Sequence, residues 1–209
     1  MYIKTNEIDF ETSYKILIGS VVPRPIAWVS TKSKSGTFNL APFSFFNAVS
    51  SNPPIIVFSA GLKTIKTEHG YEVGPKDTVR NVKDTGEFVV NIVSRKLAEQ
   101  MNQTSANYPP EVSEFDAVGL TPAPSHMVSA PRVGESLVSM ECKLYQHIEF
   151  GKEAGAGNLI IGEVLCFHLD DGVYKDGYID IDVLDPIGRL AGIGYCTVKD
   201  RFEIPRPKL

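Results

Sequence analysis

Short apolar runs of strand length recur along this chain, and clusters of Gly, Pro and small polar residues interrupt them often. Ile26 to Ser30 reads as a first strand, the polar KSKSG run ending at Gly36 as a hairpin loop, and Thr37 to Leu40 as the returning strand. Asn52-Pro53-Pro54 is a turn, and Ile55 to Ser59, IIVFS, is too apolar throughout to keep a solvent face, which predicts a central strand. Asp77 to Lys83 reads as a short helix with Asp77 as its N-cap and Gly86 placed for a left-handed C-terminal turn. Glu87 to Val93 is the next strand, followed by a helix that Ser94 can cap, with Leu97, Ala98 and Met101 at helical spacing.

Tyr108 to Pro131 is rich in Pro, Ser and Ala and predicts a long ordered loop with short elements at most. Two longer strands, Leu137 to Ile148 and Leu159 to Leu169, flank the flexible GKEAGAGN connection and alternate as an antiparallel pair with one buried face. Tyr178 to Leu209 mixes a short strand, a turn or helix start at Asp185-Pro186, and a tail ending RPKL. No internal repeat or linker divides the chain, so residues 1–209 are expected to form one domain.

With 43% hydrophobic and 22% charged residues over 209 positions, the chain has the composition of an ordinary soluble domain with a sizeable core. A net charge of −4 and a pI near 5.6 argue against a nucleic-acid surface, so any anion site must be local. The N-terminus MYIKTNEIDF lacks a basic-then-apolar leader pattern and no window approaches a membrane span, which predicts a cytoplasmic protein that does not engage a membrane. Cys142, Cys166 and Cys196 are odd in number, far apart and without metal-ligand spacing, so they are expected to be buried thiols and no metal is expected.

Candidate chemistry concentrates between Val21 and Asn47, VVPRPIAWVSTKSKSGTFNLAPFSFFN. Pro23 and Pro25 fix φ on both sides of Arg24 and present its guanidinium from an extended segment. Beyond it, Ser44 and Asn47 are interleaved with Pro42 and three Phe residues, a mixture of hydroxyl, amide and flat apolar surface that suits a phosphorylated planar ligand. PRPIAWVS also reads as a Pro-bounded entry into a buried strand with Trp28 as core, and the two readings stand side by side on pattern alone.

Several blocks in order, PRPIAWVST, NLAPFSFFNAVSSNPP, KDTVRN, GEFVVNIVS, SLVSMECKL, GEVLCFHLDD and a tail with Arg189, Gly192, Tyr195 and Arg206-Pro207, resemble the flavin reductase-like proteins of the FMN-binding split barrel, which include flavoredoxin. The resemblance spans Gly19 to Pro207. It implies a mainly β fold, a six-stranded antiparallel Greek-key barrel with peripheral helices, and a homodimer with FMN near the subunit interface. A small barrel is filled by its own side chains, so a ligand of that size must lie on a rim or between subunits.

Carried over residue by residue, the resemblance places Trp28, Val29, Ser30 and Thr31 in one flavin segment and Phe43, Ser44 and Asn47 in a second. No more than one of the Phe rings is expected to touch the cofactor. Lys76, Thr78 and Asn81 fall in a third segment, where the helix start and the lysine charge suit a phosphate, with Arg24 as another phosphate or partner-subunit candidate. Arg189 and Tyr195 resemble a pair near the flavin edge. His126 matches a region on the NAD(P)H side in some relatives but also reads as a loop histidine, and His168 reads as a core or interface histidine.

Ala60 to Pro75 is longer than the connection expected in close relatives, leaving Lys63, Lys66, His69 and Tyr71 unassigned in a segment that could form a flap or shape a substrate pocket. No nucleophile set, paired carboxylate motif or G-x-G-x-x-G fingerprint is visible, so no catalytic side chain is expected and the chemistry is the cofactor's. The implied activity is an FMN-dependent oxidoreductase passing electrons from NAD(P)H to flavin or another acceptor. The alternatives are an FMN-binding electron carrier without its own NAD(P)H activity, and a split-barrel protein that binds haem or no cofactor.

Overall fold

Strand β1 (Ala27–Lys32) shows why the apolar runs of this chain lack clean alternation, because both of its faces are buried. The computed structural model describes residues 1–67 and 70–208. In it Ala27 and Val29 face one core and Trp28 faces another, and each is fully excluded from solvent. From β1 the chain returns through β2 (Phe38–Phe43), turns into β3 (Phe46–Ser51), and pairs back along β4 (Pro54–Gly61). The lengthened connection is a separate hairpin of β5 (Lys63–Thr67) and β6 (Gly70–Gly74). His69 lies outside the described residues, as does the side chain of Lys66.

Helix α1 (Phe10–Ser20) precedes β1, and α2 (Asp77–Thr85) precedes β7 (Glu87–Ile92). The expected loop over residues 108–131 holds α4 (Glu114–Val118), after α3 (Ala98–Gln103), and the two-residue β8 (Pro122–Ala123), which pairs with β9 (Arg132–Val133). The long pair is β10 (Val138–Glu149) and β11 (Gly157–Leu169). Short hairpins β12 (Tyr174–Lys175) with β13 (Tyr178–Ile179), and β14 (Ile187–Arg189) with β15 (Tyr195–Thr197), bracket α5 (Ile181–Leu184).

The main sheet is antiparallel and seven-stranded, in the order β2-β1-β7-β10-β11-β4-β3, one strand more than expected. The addition is β3, an edge strand largely open to solvent, whereas β1, β2, β4, β7, β10 and β11 all send residues into one core. Pro42 is tolerated because β2 is the opposite edge, where a missing N–H leaves no interior ladder broken. Inside, Phe43 meets Phe58 with ring centroids 5.1 Å apart, and Phe58 meets Phe88 edge-on at 5.5 Å. Val79 and Val82 of α2 join this cluster.

The second core lies outside the barrel wall, where Trp28 and Leu40 pack with Leu97, Met101 and Phe115. Trp28 Nε1 donates to Thr104 Oγ1 at 2.9 Å, which satisfies the buried indole. At α2 the N-cap is Lys76, not Asp77, and the Asp77 carboxylate instead receives Lys63 and Arg80. Gly86 does take the left-handed conformation, at φ 73°.

The filled interior generates a test at Gly162 of β11, where an added Cβ would come within 2.3 Å of Phe88 Cζ. Phe88 is fully buried and has no room to retreat, so Gly162→Ala is expected to cost about 1–3 kcal/mol, the usual range for overpacking a core. Urea unfolding with an unchanged m-value checks it.

Candidate functional site

Because the barrel is packed shut, open volume is found at its rim. A cavity of about 1000 Å³ lies where the β2–β3 corner, β4, the start of β11, α1, the end of α3 and the β14–β15 hairpin converge. Of the expected site residues, Phe43, Ser44, Asn47, Lys76, Arg189 and Tyr195 line it. They come from segments as far apart as residues 43 and 195.

Each presents a different surface. The Lys76 ammonium lies 5.5 Å from the centre of the Phe43 ring, and among the described residues it has no ion-pair or hydrogen-bond partner. Burial, then the neighbouring Lys63 charge, pulls its pKa below the ordinary lysine value, so the site holds a cation that an anion would stabilise. Asn47 Oδ1 accepts from the Ala48 N–H at 2.9 Å, and its amide NH2 has no hydrogen-bond partner among the described residues. Arg189 stacks over the Tyr195 ring at 4.5 Å, and Tyr195 Oη donates to Asn102 Oδ1 at 3.2 Å. Phe43 is embedded in the barrel core and Phe46 packs against it, whereas Phe45 is 44% exposed.

A smaller recess of about 40 Å³ adjoins the cavity through Pro42, Lys76 and Ser105. Lys63, Asp77 and Thr78 line it, with the Thr78 hydroxyl accepting from Asn39 Nδ2 at 3.0 Å. The Asp77 carboxylate would repel an anion here. Lys63 Nζ at 3.0 Å and the Arg80 guanidinium occupy its two oxygens and offset that charge. Lys63 belongs to the lengthened connection, so this segment contributes to the electrostatics of the site as well as to its wall through Gly61 and Leu62.

Other expected residues are held elsewhere. Arg24 is only 4% exposed and donates to the carbonyls of Ile18, Val21 and Leu190 at 2.7, 2.7 and 3.1 Å, so its guanidinium is already used as a clamp between α1 and the β14–β15 hairpin. Trp28 and Val29 are core residues with no exposed side-chain surface. The Ser30 hydroxyl donates to the Pro131 carbonyl, and Thr31 Oγ1 accepts from Asn81 Nδ2 at 2.9 Å. Trp28, Ser30, Thr31 and Asn81 therefore direct their polar side-chain groups into protein, and none of them lines the cavity.

His126 sits by the end of β11 away from the cavity. Its ring stacks on His168 with centroids 5.1 Å apart, nine residues along β11 from the cavity-lining Leu159, or roughly 30 Å at the usual strand rise. The buried Glu141 carboxylate binds both, accepting from the His126, Met127 and Val128 N–H groups and contacting His168 Nε2. Burial alone would raise the Glu141 pKa, but these hydrogen bonds and the His168 ring outweigh it and hold the group below its ordinary value. Cys166 Sγ lies 3.8 Å from the same imidazole, a clustering invisible in the spacing of the cysteines because Glu141 arrives from the neighbouring strand. Cys166 and Cys196 are half-buried, and only Cys142 is fully enclosed.

Sequence reasoning also missed Phe10, Tyr14, Ser59, Asn102 and Phe150, which line the cavity from segments with no motif. Their signal in the sequence is no stronger than that of any other surface residue.

Residues 18–183 match the family model described as a flavin reductase like domain. The chain is 40% identical to nitrilotriacetate monooxygenase component B from Bacillus cereus, with a TM-score of 0.89 and 98% of each chain covered. It is 31% identical to the 2-nitrobenzoate 2-nitroreductase of Pseudomonas fluorescens, with a TM-score of 0.86 and 99% and 96% covered. To flavoredoxin of Desulfovibrio vulgaris it is 26% identical, with a TM-score of 0.72 and 88% and 91% covered.

The two hydroxyls of the expected flavin segments should separate on mutation. Thr31→Ala leaves the buried Asn81 amide without its acceptor and is expected to lower stability by about 1–3 kcal/mol. Ser44→Ala breaks only a long 3.5 Å contact from Arg24 and should fall within ~0.5 kcal/mol of the parent. Thermal melts of the ligand-free proteins measure both.

Proposed function

This chain belongs to the flavin reductase-like family, and on that premise we propose that it is an FMN-dependent oxidoreductase transferring electrons from NAD(P)H to flavin or another acceptor. The observation that carries the cofactor assignment is the rim cavity, which joins a lysine without an ionic partner among the described residues to hydroxyl, amide and aromatic surface. Its size fits, since small-molecule sites usually enclose roughly 300–1,000 Å³ and this one lies at the upper end.

In this reading Lys76 holds the phosphate, with Thr78 in the adjoining recess and the first turn of α2 adding its partial positive charge. Ser44 and Ser59 offer hydroxyls to the ribityl chain, and Asn47 donates to the ring edge. Phe45 and the Arg189–Tyr195 pair supply flat surface. When bound, FMN supplies reversible two-electron and one-electron chemistry, so the protein's work is to bind it, orient it and leave one face accessible. No residue of this chain is assigned a proton-transfer or nucleophilic role.

A homodimer belongs to the same reading. In the segment after β15, Phe202 and Ile204 are 85% and 79% exposed, apolar area suited to a second copy. Light scattering at micromolar concentration should give twice the chain mass. The second reading, an electron carrier without NAD(P)H activity, is favoured by the likeness to flavoredoxin. Steady-state NADH and NADPH oxidation with added free FMN decides between them, since only the first gives turnover.

The purified or reconstituted protein is expected to be yellow with about one FMN per chain, and recovery of FAD in its place would overturn the assignment. Replacing Lys76 with Met removes a charge-assisted contact of ~1.5–3 kcal/mol and should weaken FMN about tenfold or more. The pH dependence has a definite sign. Bound phosphate stabilises the protonated lysine, so FMN affinity should be highest below the depressed Lys76 pKa and fall as pH rises through it, a loss that sets in below the ordinary 10.5. Lys76→Met should abolish that alkaline loss.

A further inference from the structure

One wall of the cavity is built from α1, which begins before the part of the chain that matches the family model. That match begins at residue 18, whereas Phe10 and Tyr14 stand on the first two turns of α1. Their rings are stacked, with centroids 6.1 Å apart and planes 22° from parallel, and they are 60% and 45% exposed. Phe150, 65% exposed, lines the same cavity. Exposed aromatic rings converging on one concavity are a costly arrangement in water unless a ligand covers them.

This wall is fixed in place. Asp9 caps α1 by accepting from the Thr12 N–H at 2.8 Å, and Arg24 clamps its other end through the Ile18 and Val21 carbonyls. Phe10 lies against Gly155 so closely that a Cβ there would come within 2.3 Å of its ring, so the missing side chain leaves the space the ring rests in. Gly155 also takes φ 82°, which an L side chain rarely adopts.

We propose that these rings form a binding site for a small planar aromatic co-substrate, and that Phe10 and Tyr14 determine which one is accepted. The proposal rests on the FMN reading for the meaning of "co-substrate", but the aromatic site itself does not. Two observations favour a small planar molecule over a second copy of the chain as occupant. The rings line a concave cavity and do not stand on a flat face, and that cavity lies at the upper limit for one ligand, leaving room beside a cofactor. Stacking against preorganised rings selects for flatness, so a saturated analogue of equal size should bind worse.

Calorimetric titration with 2-naphthoate and with its saturated counterpart, decahydro-2-naphthoate, tests this on the full chain with and without FMN. The planar probe should bind at least about threefold and up to about tenfold more tightly, the effect expected of an aromatic pair. Phe10→Leu and Tyr14→Leu, which keep apolar bulk and remove the ring, should erase that preference, while Phe10→Tyr and Tyr14→Phe should retain it. Equal binding of the two probes, or an unchanged preference in both Leu variants, would overturn the proposal. So would Leu variants that shift the monomer–dimer equilibrium while leaving probe binding untouched, because a second copy would then be the occupant. Failure of FMN to bind would sink the cofactor reading instead, and the comparison of probes on the FMN-free protein would still decide this one.

Discussion

A barrel closed around its own aromatic side chains is the constraint from which the rest of this structure follows. Phe43, Phe58 and Phe88 meet at its centre, and Gly162 lacks a side chain because Phe88 occupies that space. Packing at this density leaves no interior room for a ligand, so binding surface can form only where strands end and connections cross. The rim cavity is assembled in that way, from a strand corner, two helix ends and a C-terminal hairpin.

Holding such distant pieces together requires polar anchors in otherwise apolar surroundings. Arg24 does so for α1 and the β14–β15 hairpin by filling its donors with backbone carbonyls. Asn91 does so for the long loop, donating to the Trp28 carbonyl and to Ser30 Oγ while accepting from the Val133 N–H and the Ser139 hydroxyl. Glu141 of β10 repeats the pattern away from the cavity with three successive N–H groups. Each of these groups is buried, and each would be expensive to leave unpaired, so their bonding capacity is committed to the fold. Lys76 differs in being half-buried with no ionic partner among the described residues, so its charge is not committed to the fold.

Several residues of the flavin-like segments illustrate how little a motif says about where a side chain points. Ser30, Thr31 and Asn81 were legible as polar residues in apolar company, a pattern equally suited to a ligand contact or to an internal hydrogen bond. What decides between them is a partner 50 or 101 residues away, and such a partner leaves no local trace. Asp77 is similar, since it looked like a cap, but the pull of Lys63 and Arg80 took its carboxylate and the cap moved to Lys76.

Local chemistry in the sequence determined the strands, the left-handed turn at Gly86, the antiparallel β10–β11 pair and the family, because strand periodicity, glycine conformation and ordered motifs are all written over short spans. Three of the residues it singled out, Ser44, Asn47 and Lys76, line the rim cavity. Only the tertiary structure decided which hydroxyls face the cavity, that Arg24 is a clamp, that His126 belongs with Glu141 and His168, and that Phe10 and Tyr14 complete the wall. The reason is that side-chain facing depends on which of two cores a strand position meets, and cavities form between segments whose separation along the chain carries no periodic signal.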